Sequence, residues 1–134
     1  RQRLRDCAEA NGERLLETPG NTISFAITLR TLTSQASAGD CRDQAREASP
    51  TVPEPGEAAA FLGSMLFTRC VSGTRVVSQG QDKTVGGIRF EGYGAGVRDY
   101  PHAPYLTAAC AVGLGREELD EFAVRLDKAL RRVK

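Results

Sequence analysis

At 134 residues the chain is long enough for one domain with a modest core. Its 18 basic and 17 acidic residues leave a net charge of +1, which argues against a polycation that coats nucleic acid, so any RNA contact has to be local. No run approaches the ~20 apolar residues of a membrane span and no basic-then-apolar leader opens the chain, so a soluble, cytoplasmic protein is expected.

Residues 1–16 carry Leu4, Cys7, Ala8 and Leu15 on one stripe and read as a helix that stops at Thr18-Pro19-Gly20. With no capping residue at its start, it reads as a helix entered partway through. Ile23, Phe25, Ile27 and Leu29 then alternate with Ser24, Ala26, Thr28 and Arg30, the period of a half-buried strand. Between residues 34 and 57 the only large apolar side chain is Val52, and Pro50, Pro53 and Pro55 fall there. Such a segment buries too little to offset its ordering entropy, and it reads as a solvated, disordered insertion within one domain of residues 1–134.

Residues 58–68 predict a second helix, with Phe61/Met65 and Leu62/Leu66 four apart. Residues 74–77 and 87–93 predict two strands. Residues 104–113, opening with Pro104 and closing with Gly113, predict a short helix of small residues. Residues 116–133 give the strongest pattern: Leu119, Phe122, Leu126, Leu130 and Val133 form one face. Acids crowd the start of that helix and bases its end, both matching the helix dipole. The order predicts an α+β fold, a small antiparallel sheet packed with helices on one face.

The chemistry-bearing residues are few. A Schiff-base lysine has to be desolvated. The three lysines do not fit: Lys83 lies in a polar Gln-Asp-Lys-Thr stretch read as a turn, Lys128 on a solvent face and Lys134 at the end. Cys7, Cys41, Cys70 and Cys110 form no CxxC pair and His102 is the only histidine, so free thiols are expected rather than a zinc site. The glycine-rich stretch 86–96 lacks the spacing of a phosphate loop and reads as turns around a strand. A Cys70–His102 dyad has no acid placed to orient it.

Arg69 and Arg75 differ. Arg75 lies in a strand and pairs readily across a sheet. Arg69 follows the apolar run of a helix, at a Thr68-Arg69-Cys70 corner before a Ser72-Gly73 turn. A guanidinium there can make bidentate bonds to a base edge or a phosphate, although composition alone favours an ordinary surface arginine.

The stretch 63–77 closely resembles the C-terminal part of the O-phosphoseryl-tRNA(Sec) selenium transferases. So do Glu13-Arg14-Leu15-Leu16, Ile23-Ser24, Thr28-Leu29, Thr31-Leu32, Tyr100-Pro101, Tyr105-Leu106, Ala108-Ala109 and Arg125-Leu126-Asp127. The resemblance implies the small domain of a fold-type I pyridoxal-phosphate enzyme that turns O-phosphoseryl-tRNA(Sec) into selenocysteinyl-tRNA(Sec) with selenophosphate. In that family the corner arginine reads the discriminator base of the tRNA acceptor end. That position is Arg69, flanked by Thr68 and by Cys70, which departs from the glutamine often found there. A basic residue at the end of the last helix also meets tRNA, and Lys134 is its nearest counterpart.

The resemblance further implies that the cofactor lysine and phosphate loop lie upstream of residue 1, so no catalytic residue is expected here. The implied partners are the tRNA(Sec) acceptor end, the upstream part of the same chain and further copies in a homotetramer. Two other readings stay open at this point. One is the small domain of a cysteine-desulfurase-like enzyme, with Arg75 on a substrate carboxylate. The other is a free-standing interaction module.

Overall fold

The computed structural model describes residues 1–34, 55–78, 81–93 and 103–134. Helix α1 (Gln2–Ala10) leads to the short strand β1 (Leu15–Leu16), β2 (Ser24–Thr28) and the single turn α2 (Thr31–Ser34). Helix α3 (Pro55–Thr68) then gives way to β3 (Thr74–Val77), β4 (Gln81–Val85), β5 (Ile88–Tyr93), β6 (Tyr105–Ala109) and the long helix α4 (Arg116–Val133). Four strands form an antiparallel sheet in the order β1-β2-β6-β3, and β4 and β5 form a separate hairpin. The fold is α+β with a small antiparallel sheet, as the sequence predicts.

Register decides which side chains face the helices. Leu15, Ile27 and Leu106 lie opposite one another across β1, β2 and β6, and Val76 of β3 faces Leu106. This row packs against Leu4 and Ala8 of α1, Leu62 and Leu66 of α3, and Leu126 and Leu130 of α4. The opposite sheet face holds a smaller cluster of Ala26, Val77 and Tyr105 with Leu16 against it. The period-two pattern predicts a strand buried on one face. From Ala26 to Leu29, however, both faces are buried, because β2 is an interior strand with apolar groups on each side. Helix α4 has the predicted bounds, and its first backbone N–H, on Gly115, is capped by Glu118 Oε2 at 2.7 Å.

Three expectations are corrected. The first helix ends at Ala10, well before Leu16. Gly12 takes φ +68°, Glu13 N–H reaches the Ala8 carbonyl at 2.9 Å and Gly12 N–H reaches that of Glu9 at 3.0 Å, the paired bonds of a Schellman cap. Leu15 still reaches the core, but from a strand. Second, the segment read as a helix over residues 104–113 contains strand β6. Its five residues bond to β2 on one side and to β3 on the other, and those long-range ladders outweigh the helix preference of its alanines. Third, the Gln-Asp-Lys-Thr stretch is strand β4, not a turn. The turn is Gly86-Gly87, whose φ values of +59° and +81° suit a two-residue hairpin loop.

Most of the predicted insertion lies outside the described residues. Its ends are shorter than expected, since α2 includes Ser34 and α3 begins at Pro55, where proline suits the first helical turn.

A buried carboxylate joins the N-terminal elements. Glu13 is 5% exposed and accepts four hydrogen bonds. Thr28 Oγ1 donates at 2.6 Å and Arg30 N–H at 2.9 Å to one oxygen. The other oxygen accepts Thr31 N–H at 2.8 Å and Thr31 Oγ1 at 2.6 Å. The end of α1, the end of β2 and the start of α2 are thereby fixed to one group. Stranding these donors costs ~1–3 kcal/mol for each that stays out of water. Glu13→Ala is expected to lower the unfolding free energy by about 3 kcal/mol, and Glu13→Gln, which keeps one acceptor oxygen, by clearly less. Urea titration checks this, read as a midpoint shift at constant slope.

Candidate functional site

The Thr68-Arg69-Cys70 corner is the C-terminal cap of α3. Val71 N–H bonds to the Leu66 carbonyl and Cys70 N–H to that of Phe67, both at 3.0 Å. These are again the two bonds of a Schellman cap, and its usual apolar contact is supplied by Leu66 and Val71, both buried in the main core. The cap places Cys70 where the chain must turn left-handed, with φ +55°. Among the described residues it is the only non-glycine residue with positive φ. Glycine takes that conformation freely, whereas an L side chain there costs roughly 1–2 kcal/mol. Gly73, three residues on, has φ +73°, and its carbonyl accepts Ala109 N–H at 2.8 Å, tying the turn to β6.

Arg69 is half-buried. Its Nη1 donates to the Met65 carbonyl at 3.1 Å, which folds the side chain back over the last turn of its own helix. Guanidinium carries five N–H groups in a plane, so Nε and Nη2 retain donors for a ligand. Thr68 is exposed, and its hydroxyl donates to the same Met65 carbonyl at 3.1 Å. From α4, Arg125 Nη1 donates to the Arg69 carbonyl at 2.8 Å, and Arg125 Nε donates to Glu121 Oε1 at 2.7 Å. The corner is held from its own helix and from the helix packed beside it.

Next to the corner a groove of about 870 Å³ opens between the sheet, α1 and α4. Leu4, Phe25 and Phe122 line it, together with Arg3, Glu121 and Arg125. Charges of both signs share its lining, so it presents no uniform field to an anion.

The structure separates the other predicted contact from this corner. Lys134 lies at the far end of α4, nine residues past Arg125 by number, or about 14 Å along the axis. Its Nζ donates to the Asn11 carbonyl at the end of α1. Asn11 Nδ2 donates in turn to Asp127 Oδ1 at 2.8 Å and to the Cys7 carbonyl at 2.9 Å. The Asn11 bond and the neighbouring Arg131 hold the Asp127 carboxyl below the usual carboxylate range. Arg75 is exposed on edge strand β3, opposite Thr107 and on the sheet face away from the helices.

Lys83, Lys128 and Lys134 are all exposed, which does not suit a Schiff-base amine. Gly86 and Gly87 form the hairpin turn, whereas Gly94 and Gly96 lie outside the described residues, as do Cys41 and His102. Among the described residues no group of three His, Cys, Asp or Glu side chains is placed to hold a metal ion. No described helix is long and apolar enough to cross a membrane.

Arg125 is the residue at this site to which the sequence assigns no role. Glu121 four positions earlier signals an ion pair on one helix face. The third partner, the carbonyl of Arg69, comes from a different helix and leaves no trace in local spacing.

Residues 1–131 match the family described as O-phosphoseryl-tRNA(Sec) selenium transferase, SepSecS. The O-phosphoseryl-tRNA(Sec) selenium transferase of Dictyostelium discoideum is 34% identical over 130 residues, covering 95% of this chain and 26% of that protein. That of Caenorhabditis elegans is 33% identical over 127 residues, covering 94% of this chain and 22% of its own length. That of Leishmania donovani is 31% identical over 113 residues, 81% of this chain and 19% of its own. The chain thus spans a quarter or less of these relatives, or marginally more for the first.

The cysteines yield a direct test of the packing. Cys7 is buried between α1 and α4, whereas Cys70 and Cys110 are exposed. Burial, with a smaller contribution from the nearby Asp127 carboxylate, pushes the Cys7 thiol up from 9.0 to about 11. At pH 8 iodoacetamide is expected to alkylate Cys70 and Cys110 in the folded protein and Cys7 only after unfolding, as read by peptide mass mapping. The linkage has one sign. Stability from the protonated Cys7 thiol is fully present below pH 9 and is lost as pH rises from 9.0 toward about 11.

Proposed function

The chain belongs to the O-phosphoseryl-tRNA(Sec) selenium transferase family, and on that premise we propose that it is the C-terminal, tRNA-contacting domain of such an enzyme. The intact protein then uses pyridoxal phosphate and selenophosphate to convert O-phosphoseryl-tRNA(Sec) to selenocysteinyl-tRNA(Sec), in the cytoplasm and as a homotetramer. The names of the relatives support a role in selenocysteine biosynthesis. The single observation that favours a tRNA contact within this chain is the Arg69 corner: a half-buried arginine, seated on a capped helix end, with guanidinium donors left for a ligand.

In this reading Arg69 meets the discriminator base at the acceptor end. Planar donors on a fixed backbone suit a base edge, where a paired contact discriminates bases by ~1–3 kcal/mol. Thr68 and Cys70, both exposed beside it, border the same surface. Lys134 supplies a second contact farther along α4, suited to a backbone phosphate because an ammonium is a point charge with little directional demand. The described residues do not fit the cofactor, since the three lysines are exposed and the polar groups among the described residues form no phosphate cradle. No chemical step is therefore assigned to them. The domain's task is to bind and orient RNA over a site formed by other parts of the enzyme, including those of neighbouring copies.

The test uses the full-length protein that carries this chain. Arg69→Ala is expected to weaken tRNA(Sec) binding about tenfold or more, which corresponds to the loss of one base-edge contact. Filter binding at fixed salt measures the affinity, and the visible absorbance of bound cofactor is expected to stay unchanged. Equal tRNA affinity in mutant and wild type overturns the assignment.

A further inference from the structure

We infer that Arg125 is the positioning residue of this corner, a lock that prevents the Arg69–Cys70 peptide from flipping and so keeps Arg69 in its ligand-facing setting. The inference rests on the acceptor-end reading of Arg69 for its functional meaning. The lock itself is a property of the corner and stands or falls separately.

The argument starts from the backbone. The peptide between Arg69 and Cys70 is bonded at both ends: its N–H donates to the Phe67 carbonyl at 3.0 Å, and its C=O accepts Arg125 Nη1 at 2.8 Å. Rotating this one peptide plane by half a turn changes ψ of Arg69 and φ of Cys70 together and barely moves the rest of the chain. The flip carries Cys70 from φ +55° into the region that an L residue prefers. Steric strain at Cys70 thus favours the flipped state, and the two hydrogen bonds oppose it.

Of those two bonds, the one from Arg125 is charge-assisted and the stronger. Its donor is also favoured in this setting, because Arg125 Nε pairs with Glu121 at 2.7 Å one turn away on the same helix. Without Arg125, the peptide itself keeps one neutral bond, from Cys70 N–H, beside the Val71 bond to Leu66 and the apolar contact of those two residues. The flip also removes one of the two bonds that cap α3, the Cys70 bond to Phe67, and turns ψ of Arg69 itself. The last turn of α3 presents the Met65 carbonyl on which Arg69 Nη1 rests. Arg125 therefore acts on Arg69 through the backbone, without touching the ligand.

The experiment compares full-length wild type with Arg125→Met, Arg125→Lys and the double variant Arg125→Met/Cys70→Gly. Hydrogen exchange is followed by mass spectrometry on peptides spanning residues 67–73. Arg125→Met is expected to speed exchange of the Cys70 and Val71 amides by roughly tenfold, while the amides of β6 and mid-α4 stay at wild-type rates. Arg125→Lys, which keeps a cationic donor, is expected to recover part of the protection. Adding Cys70→Gly is expected to restore slow exchange without Arg125, because glycine occupies positive φ without strain. A purely structural role for Arg125 does not predict that rescue.

Binding of an acceptor-stem RNA is measured on the same proteins and on Arg69→Ala with and without Arg125→Met. Arg125→Met is expected to weaken binding only where Arg69 is present. Unchanged exchange at residues 69–71 in Arg125→Met overturns the lock. So does equal weakening of RNA binding with and without Arg69, which would make Arg125 a direct contact. If Arg69→Ala leaves RNA binding unchanged, the acceptor-end reading falls, and the exchange data still decide whether the lock exists.

Discussion

The two hydrogen-bonded ladders flanking Tyr105–Ala109 hold this fold together. Through β2 the strand reaches the N-terminal elements, and through β3 it reaches the segment that follows the Arg69 corner. A strand bonded on both sides exposes no edge of its own, and its side chains contribute to clusters on both sheet faces. Leu106, wholly buried, sits in line with Ile27 and Val76 beneath the helices. If β6 were removed, the corner strand would have no partner in the sheet and the helices no continuous floor.

The helices meet this floor in a definite order. Contacts along α1 and α4 advance together, from Arg3 with Asp120, through Cys7 with Ala123, to Asn11 with Asp127. The two helices therefore run parallel. Polar groups close the far end of the pair, where Asn11 bonds across to Asp127 and Lys134 returns to Asn11. On its other flank α4 packs on α3 and reaches the corner through Arg125. One helix thus serves both as a core element and as the brace of a surface turn, because its apolar and charged residues lie on different faces.

The corner itself joins two opposing tendencies. The Schellman cap requires a left-handed residue after α3, and the sequence supplies a cysteine there rather than glycine. Such strain persists only when surrounding bonds over-determine the conformation. Here the apolar contact of Leu66 with Val71 below and the Arg125 bond above do so.

Long periodic elements were legible in the amino-acid order. The face of α4, the apolar pairs of α3 and the alternation of β2 each repeat over enough residues that local pattern and final burial agree. The corner after α3 was legible too, because an apolar helix end followed by a Ser-Gly turn leaves the chain few ways to continue. What the order could not determine is anything set by a distant partner. Leu15 falls on the helical stripe of α1, yet a Schellman cap at Gly12 turns it into a strand residue. Tyr105–Ala109 reads locally as helix and becomes the central strand, since its stabilisation comes from ladders to residues some 30 to 85 positions away by number. Nothing in the local pattern marks Glu13 as buried, and only the folded chain surrounds it with four donors. Arg125 reads as half of an ion pair, and only the packing of α4 on α3 gives it the Arg69 carbonyl. Local sequence fixes periodicity and turn chemistry, whereas partners far along the chain are chosen by which backbone and apolar groups still lack one.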